Sequence, residues 1–174
     1  MDKVVLVDEK DNIIGTMEKM EAHEKALLHR AFSVFIYNDK REILLQKRAL
    51  SKYHSGGLWT NACCSHPRLG EEIIEAGKRR LLEEMGFTCE LKEVFVFTYE
   101  AKLDNELTEH EVDHVLIGKY NSDILLNEEE AMEYKWVTYT KLLDSMETNS
   151  DIYTEWFKII MENFIKNDLY KTLV

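Results

Sequence analysis

Residues 69–85 carry the strongest helical pattern of the sequence, and strand-like runs lie on both sides of it. Acidic residues open this segment, where the helix dipole favours them, and Gly86 follows it, as glycine often follows a helix end. The apolar residues at helical spacing are Ile73, Ile74, Leu81, Leu82 and Met85. A glycine inside a helix costs about 1 kcal/mol relative to alanine, so Gly77 indicates close packing or a functional requirement. A helix set among strands favours a mixed α/β fold.

Apolar runs of strand length predict the sheet around this helix. Two predicted hairpins precede it, one formed by residues 3–7 and 13–15 and one by residues 31–37 and 42–46. Strands are predicted after it at residues 93–99, 109–118 and 134–137. A short helix capped by Thr140 is predicted at residues 140–146. A C-terminal helix is predicted at residues 152–169, with a core face of Phe157, Ile160, Met161 and Phe164. Residues 18–29 are predicted to be helical or mixed, and residues 128–130 to be the solvated start of a helix.

The composition narrows the class of protein. The 174 residues include one proline and seven glycines and no linker-like run, which predicts a single domain over residues 1–174. The formal net charge of −11 argues against nucleic-acid binding, because phosphates require a basic footprint. No apolar run approaches the roughly 18 residues of a membrane span. No signal peptide precedes the first strand, so we expect a cytoplasmic protein with reduced cysteines.

Residues 60–67 (TNACCSHP) place two thiols, an imidazole and the only proline of the chain close together. Adjacent cysteines cannot readily form a disulfide with each other without strain. A Cys-x-His pair can supply a nucleophile or acid, a metal ligand, or both. The alternative is a tight loop with buried thiols, because free cysteine is among the most buried residue types. The octapeptide alone leaves chemistry and packing equally open.

A second cluster lies in the predicted strand at residues 109–118. There Glu109, Glu111 and Asp113 would share one face, because successive side chains of a strand alternate. Carboxylates on one face repel each other unless a cation lies between them. A solvated edge strand would also tolerate them, and the sequence leaves both interpretations open.

Histidines elsewhere supply nitrogen donors for a metal site. Each of His23, His29 and His66 alone would fit a surface or hydrogen-bonded side chain. Together with Glu109 and Glu111 they form a set that suits Zn²⁺, Mn²⁺ or Mg²⁺ better than a thiolate-rich structural site does. Ligands from well-separated segments are typical of a catalytic site rather than of a zinc finger.

Residues 70–87 resemble a degenerate Nudix box, the loop-helix signature of diphosphate-handling α/β/α proteins. The residues that carry the resemblance are Gly70, Glu71, Arg79, Glu83, Glu84 and Gly86. Two positions depart from the pattern: Ser65 stands where the opening glycine would fall, and Arg80 stands where a glutamate normally follows the arginine. Loss of that carboxylate removes a ligand of hydrolytic magnesium, which counts against ordinary Nudix hydrolysis.

Three further stretches are similar to those of type I isopentenyl diphosphate isomerases, namely residues 48–52 (RALSK), 59–67 (WTNACCSHP) and 109–112 (EHEV). The similarity extends from about Lys19 to Trp156. Residues 53–56 depart from it, because many members of the family have an aromatic-Pro-Gly turn there. The resemblance implies a Nudix-like α/β/α sandwich with a mixed sheet, extra N-terminal strands and a C-terminal helix.

The resemblance also implies an enzyme of isoprenoid biosynthesis that converts isopentenyl diphosphate to dimethylallyl diphosphate through a tertiary carbocation. Cys64 would act on one face of the substrate and Glu111 with Tyr99 on the other, while Trp156 would stabilise the cation. In this family's pattern one divalent ion, Mn²⁺, Zn²⁺ or Mg²⁺, is bound by His23, His29, His66, Glu109 and Glu111. Glu84 matches the residue that holds a Mg²⁺ bridging to the diphosphate. The phosphates would be neutralised by Lys19, Arg48, Lys52 and Arg80.

Two other functions stay open at the level of sequence. A Nudix-type diphosphate hydrolase would release phosphate or a nucleoside monophosphate, and a noncatalytic module would bind metal or diphosphate without turnover. For the isomerase the expected partner is a small allylic or homoallylic diphosphate. Binding to nucleic acid or to a membrane is not expected. The protein is expected to be a monomer or a homodimer.

Overall fold

The computed structural model of the protein describes residues 3–167. Within this range the chain forms one nine-stranded sheet with helices around it. In chain order the elements are β1 (Lys3–Val7), β2 (Ile13–Glu18), α1 (Lys19–Glu24), β3 (His29–Tyr37), β4 (Glu42–Arg48), β5 (Trp59–Thr60), β6 (Cys63–Ser65), α2 (Ile73–Met85), β7 (Leu91–Lys102), β8 (Thr108–Lys119), β9 (Ala131–Thr138), α3 (Tyr139–Thr148) and α4 (Glu155–Lys166), with a short 3₁₀ turn at Ser150–Ile152.

The strands β3 and β8 form the middle of the sheet. They run parallel along all of β3, from His29 opposite Glu111 to Tyr37 opposite Lys119. β7 pairs antiparallel with β8, and the predicted β1–β2 hairpin joins β3 where Leu6 lies opposite His29. This parallel register places an imidazole directly beside a carboxylate at one end of the sheet.

The second predicted hairpin is correct only at its turn. β3 and β4 pair at Tyr37 opposite Ile43, and β4 then continues antiparallel to β9. The two strands diverge, and β6 pairs with β3 while β5 pairs with β4. The segment that contains the two cysteines therefore lies in a fork between β3 and β4.

Helices pack on both faces of the sheet. Alternate side chains of β3 point to opposite sides: Phe32 and Val34 belong to the core beneath α2, and Phe35 belongs to the core beneath α3 and α4. The predicted core face of the C-terminal helix, Phe157, Ile160, Met161 and Phe164, is fully buried in the latter core. The predicted α/β/α sandwich with a mixed sheet is confirmed.

The helix α2 differs from its prediction in its start and in its buried face. It begins at Ile73 rather than at residue 69. Ile74 is 36% exposed and Leu82 is 57% exposed, so their assignment to the apolar stripe was wrong. The buried face is centred instead near Gly77, where a Cβ would stand only 2.8 Å from Leu116 Cδ1. The glycine in mid-helix thus allows α2 to approach the sheet closely.

Three further predictions are corrected. Residues 128–130 form a turn rather than a helix start, because the Asn127 side chain accepts a hydrogen bond from the Glu129 amide at 3.1 Å and closes the turn locally. α3 begins at Tyr139 with Thr138 at its N-cap, so Thr140 is not the cap. α4 spans Glu155–Lys166, and the last predicted residues, 168–169, lie outside the described part of the chain. None of the helices in residues 3–167 is long and apolar enough to cross a membrane.

Replacement of Gly86 by alanine is expected to destabilise the fold by about 1–3 kcal/mol, the cost of a side chain held in a left-handed conformation. Gly86 ends α2 with φ 73°, and a Cβ there would stand 2.5 Å from the Leu125 carbonyl oxygen. Urea unfolding measures the loss. Gly15→Ala is the control, because no atom lies within 4 Å of its added Cβ. Equal free energies of unfolding for the two variants would contradict the assigned role of Gly86.

Candidate active site

The two adjacent cysteines of β6 point to opposite faces of the sheet, as strand geometry requires. Cys63 is fully buried in the core beneath α2. Cys64 packs on the other face, beside the core beneath α4, and lines a pocket. The structure thus separates the two thiols that the sequence placed side by side.

Polar neighbours hold the Cys64 thiol in place. Its Sγ donates to Asn61 Oδ1 at 3.1 Å, and the Ser33 hydroxyl lies 3.4 Å away. Ser33 in turn donates to Asp113 Oδ2 at 2.8 Å. Burial, reinforced by the negative charge of Asp113, raises the pKa of the Cys64 thiol. The thiol is therefore protonated at neutral pH, in the form that can deliver a proton.

The carboxylates of β8 are buried, so the solvated-edge interpretation is wrong. Glu109 is 5% exposed and Glu111 is 6% exposed. The hydroxyl of Tyr99 lies 2.9 Å from Glu109 Oε2 and 2.7 Å from Glu111 Oε2. Burial and the charge of Glu111 raise the pKa of Glu109, whereas the adjacent imidazoles of His29 and His66 outweigh burial and lower the pKa of Glu111. The negative charge of the pair thus resides mainly on Glu111.

The three predicted histidine ligands converge beside Glu111. His23 Nδ1 donates to the Lys19 carbonyl at 2.8 Å, and His29 Nδ1 donates to the Leu27 carbonyl at 2.7 Å. Because a carbonyl only accepts, each Nε2 carries a lone pair when its ring is neutral. Such a second hydrogen bond is the usual way in which a metal-binding imidazole is oriented.

The Nε2 atoms fit a divalent cation. His29 Nε2 lies 3.2 Å from His66 Nε2 and 3.3 Å from Glu111 Oε1, and His66 Nε2 lies 3.1 Å from the same oxygen. Neighbouring ligands of an ion at about 2.1 Å stand about 3.0 Å apart. Buried His23 Nε2 has no hydrogen-bond partner among the described residues. The donor set suits a first-row divalent ion.

The predicted five-residue ligand set divides into two groups. His23, His29, His66 and Glu111 can each direct one ligand atom to a common point. Glu109 instead groups with His23 and with His54, for which no role was predicted beyond its place in the unusual turn at residues 53–56. Burial and the charge of Arg48 lower the pKa of His54 to about 3, so its imidazole is neutral. The departure of that turn from the related sequences was the available signal for His54.

Trp156 forms an aromatic wall of this pocket. Trp156 is 2% exposed and, with Cys64, Tyr99 and Glu111, lines the pocket. The guanidinium of Arg48 lies 5.0 Å from the Trp156 ring centroid. The pocket therefore joins a thiol, carboxylates and the face of an indole in a space that is largely shielded from water.

The other predicted phosphate-binding cations line a separate groove, which shares Tyr53 and Ser65 with the pocket. Lys19, Lys52 and Arg80 share this groove with Tyr53 and Ser65. Lys52 and Arg80 both contact Glu130, and the Lys19 ammonium lies 4.6 Å from the Tyr53 ring centroid. Arg48 is separate from this set, because it lies inside the pocket.

Glu84 contacts Arg80 of the groove and belongs to neither metal-binding group. It is 4% exposed, and its carboxylate accepts from Arg80 at 2.7 Å and from Gln46 at 2.9 Å. Burial raises its pKa, although the charge of Arg80 opposes this effect. Arg80 stands where the Nudix box has a glutamate. Its guanidinium is thus paired with the Glu84 carboxylate, which the resemblance assigns to Mg²⁺.

Known proteins resemble the chain over nearly its whole length. Residues 27–157 match the NUDIX domain family. Isopentenyl-diphosphate Delta-isomerase 2 of Photorhabdus laumondii is 50% identical over 170 residues, which cover 97% of this chain and 96% of that protein. Isopentenyl-diphosphate Delta-isomerase of Serratia proteamaculans is 46% identical over 166 residues, which cover 95% and 93% of the two chains.

Solved structures of more distant proteins share the fold. A Deinococcus radiodurans protein has a TM-score of 0.75 at 15% identity, and the match covers 92% of this chain and 98% of that one. The MutT protein of Methanosarcina mazei has a TM-score of 0.67 at 22% identity, with 81% and 95% covered. The family match and the close relatives together show that the chain belongs to the isopentenyl-diphosphate Delta-isomerases, a family built on the NUDIX domain.

Proposed function

We propose that this protein interconverts isopentenyl diphosphate and dimethylallyl diphosphate, the activity that the names of its relatives indicate. One observation carries the proposal: Cys64, Tyr99, Glu111 and Trp156 line a single pocket. The reaction adds a proton to one carbon of an alkene and removes a proton from another. It therefore needs an acid and a base on a bound hydrocarbon, and this pocket supplies both.

We assign the acid–base roles to the thiol and to the carboxylate. The protonated thiol of Cys64 and the Tyr99–Glu111 pair exchange protons with the substrate: one group gives a proton to the alkene, and the other accepts a proton from the resulting cation. The forward and reverse reactions use the same two groups in opposite order. One group gives a proton and the other accepts one, so the enzyme holds the same number of protons before and after each turnover. Asn61 and Ser33 orient the thiol for this transfer.

The aromatic wall serves the intermediate. A tertiary carbocation gains stability from the face of an aromatic ring and is lost if water attacks it. Trp156 offers such a face, and the buried side chains around it limit the access of water. We assign Trp156 to stabilisation of the cation.

The metal and phosphate sites complete the proposal. We propose that His23, His29, His66, Glu109 and Glu111 hold Mn²⁺, Zn²⁺ or Mg²⁺, which offsets the charge of the buried carboxylates and acts as a Lewis acid beside the pocket. Lys19, Arg48, Lys52 and Arg80 bind the diphosphate, and Glu84 would hold a Mg²⁺ that supplies further positive charge for the phosphate oxygens. The last assignment requires Arg80 to exchange its carboxylate partner for phosphate oxygens when substrate binds.

We further propose that residues 1–174 act as one catalytic domain in the cytoplasm. The single domain rests on the absence of a linker-like segment in the sequence. The expected partner is the small diphosphate, and a monomer or homodimer is expected.

The test is incubation of the purified protein with isopentenyl diphosphate and Mg²⁺ in D₂O, followed by NMR. The expected result is dimethylallyl diphosphate with deuterium in its methyl groups, because the mechanism exchanges protons with the solvent. Parallel assays with nucleoside diphosphates are expected to release no phosphate. Phosphate or nucleoside monophosphate without an allylic product would favour the hydrolase, and stoichiometric binding without turnover would favour the noncatalytic module.

A further inference from the structure

We propose that two threonines outside the pocket, Thr60 and Thr154, are positioning residues for the reactive thiol and for the aromatic ring of the pocket. Their hydroxyls and the Asn61 side chain form a buried chain of hydrogen bonds that joins the Cys64 thiol to the start of α4. The inference rests on the proposed function, which assigns proton transfer to that thiol and stabilisation of the cation to Trp156. Neither threonine lines the pocket, so both act through their neighbours.

The direction of each hydrogen bond in this chain follows from its partners. The Asn61 amide nitrogen donates to two main-chain carbonyls, at 3.1 Å and 2.9 Å, which fixes the amide oxygen on the other side. Because this oxygen only accepts, Thr60 donates to it at 2.9 Å and the Cys64 thiol donates to it at 3.1 Å. The Thr60 oxygen then accepts from the Thr154 hydroxyl at 3.2 Å. The thiol and the start of α4 therefore share one anchor, the Asn61 oxygen.

The chain is buried along its length. Asn61 and Thr154 are 0% exposed, and Thr60 is 1% exposed. A buried polar group that loses its partner cannot replace it with bulk water, so the loss of one such bond is costly. Removal of either hydroxyl therefore breaks the link between the thiol and α4, and solvent does not restore it.

The helix cap of α4 supports a role beyond helix stability. Thr154 is the N-cap residue and has the extended backbone of such a residue, with φ −68° and ψ 151°. The side-chain oxygen of an N-cap threonine usually accepts a hydrogen bond from an amide of the first turn. The Thr154 side chain makes no such bond and donates to Thr60 instead. A residue suited to cap the helix thus links α4 to β5.

Main-chain contacts hold the same two segments together. Tyr153 pairs with Trp59 in an isolated parallel bridge, and the Thr154 amide donates to the Trp59 carbonyl at 3.0 Å. Trp156 follows two residues later, and its buried indole nitrogen has no hydrogen-bond partner in the described part of the chain. The direction of the indole ring therefore depends on packing and on where α4 begins. The contacts of Thr154 fix that point.

The proposed reaction depends on the spacing of these two groups. The Cys64 thiol and the Trp156 ring must both lie against one small hydrocarbon, although they belong to β6 and α4. A displacement of about 1 Å in an active site can cost about 10²-fold in rate. The threonine chain gives the two elements a rigid connection that does not pass through the substrate.

The experiment compares Thr60→Val and Thr154→Val with the wild type, because valine keeps the shape of threonine and removes the hydroxyl. Besides kcat, it measures the Kd of two unreactive ligands: a saturated five-carbon alkyl diphosphate, and an analogue in which a tertiary ammonium replaces the cationic carbon. We expect kcat to fall by about 10- to 100-fold. The Kd of the ammonium analogue should rise by about 10-fold, because its contact with the indole face is lost. The Kd of the alkyl diphosphate should stay near the wild-type value.

Three further variants separate positioning from stability. Thr60→Ser and Thr154→Ser retain the hydroxyl and should recover the wild-type kcat and the wild-type Kd of the ammonium analogue. Thr138→Val is the matched control, because Thr138 is the N-cap of α3, with φ −68° and ψ 149°, and likewise makes no side-chain cap bond. It should leave kcat and both Kd values unchanged.

Three results would overturn the inference: kcat within a few-fold of the wild type in both valine variants, an equal rise in Kd for the two ligands, or no recovery in the serine variants. An equal rise would indicate a purely structural role, because general loosening of the site weakens both ligands together. The wild type alone supplies a second measurement if the valine variants do not fold. The hydroxyl protons of Thr60 and Thr154 should exchange slowly with water in NMR spectra, and rapid exchange of either one would contradict the buried chain.

The inference and the proposed function can fail separately, because the two Kd values are measured without turnover. Active wild-type protein whose valine variants behave like the wild type refutes only the inference. Inactive wild-type protein whose valine variants lose affinity for the ammonium analogue alone refutes only the proposed function.

Discussion

Replacement of Cys64 by alanine is expected to lower kcat for isomerisation by about 10²- to 10⁴-fold, the usual contribution of a positioned acid or base. The thiol lines the reactive pocket, and its raised pKa keeps the proton available. Alanine removes the proton-transfer group without touching the cations of the groove, so KM for isopentenyl diphosphate should change far less than kcat. Product formation followed by NMR or by acid lability of the allylic diphosphate gives both constants.

Cys89→Ala is the matched control for this variant. Cys89 is a half-buried free thiol that packs beside the core beneath α2, away from the pocket. Its removal should leave kcat near the wild-type value. Turnover of Cys64→Ala within a few-fold of wild type would reject the proton-transfer role of Cys64, provided that both variants show the wild-type circular dichroism spectrum.

Glu111→Gln is expected to abolish both isomerisation and tight metal binding. One oxygen of the carboxylate lies 3.3 Å from His29 Nε2 and 3.1 Å from His66 Nε2, and the other accepts from the Tyr99 hydroxyl, so it connects the metal group to the proton-transfer pair. Glutamine has a similar shape but cannot carry a proton at this site and is a weaker ligand. We expect a loss of at least about 10³-fold in kcat, within the range for general acid–base groups, together with a reduced metal content measured by mass spectrometry.

Glu100→Gln provides the comparison for the carboxylate. Glu100 is exposed and belongs to β7, directly after Tyr99. The substitution removes one negative charge near the site without removing a group of the pocket, so both rate and metal content should persist. Full metal content in Glu111→Gln would exclude Glu111 as a ligand, and full activity would exclude it from proton transfer.

Local patterns in the sequence were sufficient to predict most strands and helices, but not which strands pair with each other. The apolar runs at residues 31–37 and 42–46 indicated strands, and the turn between them indicated a hairpin. In the structure these strands separate after one pair and take β8 and β9 as their long partners. Pairing is decided by side chains that are distant along the chain, and the period of a single run contains no information about them.

The same distinction applies to the site. Alternation within β8 correctly placed Glu109 and Glu111 on one face, because that depends only on strand geometry. Their burial, and the grouping of Glu109 with His54 rather than with His29, depend on how distant segments pack. The error at Ile74 and Leu82 has a related cause: helical spacing defines a stripe, but the contact at Gly77 decides which side of the helix faces the sheet.

The three-residue strand β6 also makes function depend on register. Phe32 opposite Ser65, Ser33 opposite Cys64 and Val34 opposite Cys63 are its only pairs with β3 within the described chain. A slip by one residue would reverse every side chain, bury Cys64 in the core and present Cys63 to the pocket. The Asn61 amide opposes such a slip, because it donates to the carbonyls of Val34 at 3.1 Å and Cys63 at 2.9 Å. The Asn61 amide thus helps to hold the register of β6, and this register determines which of the two neighbouring thiols faces the pocket.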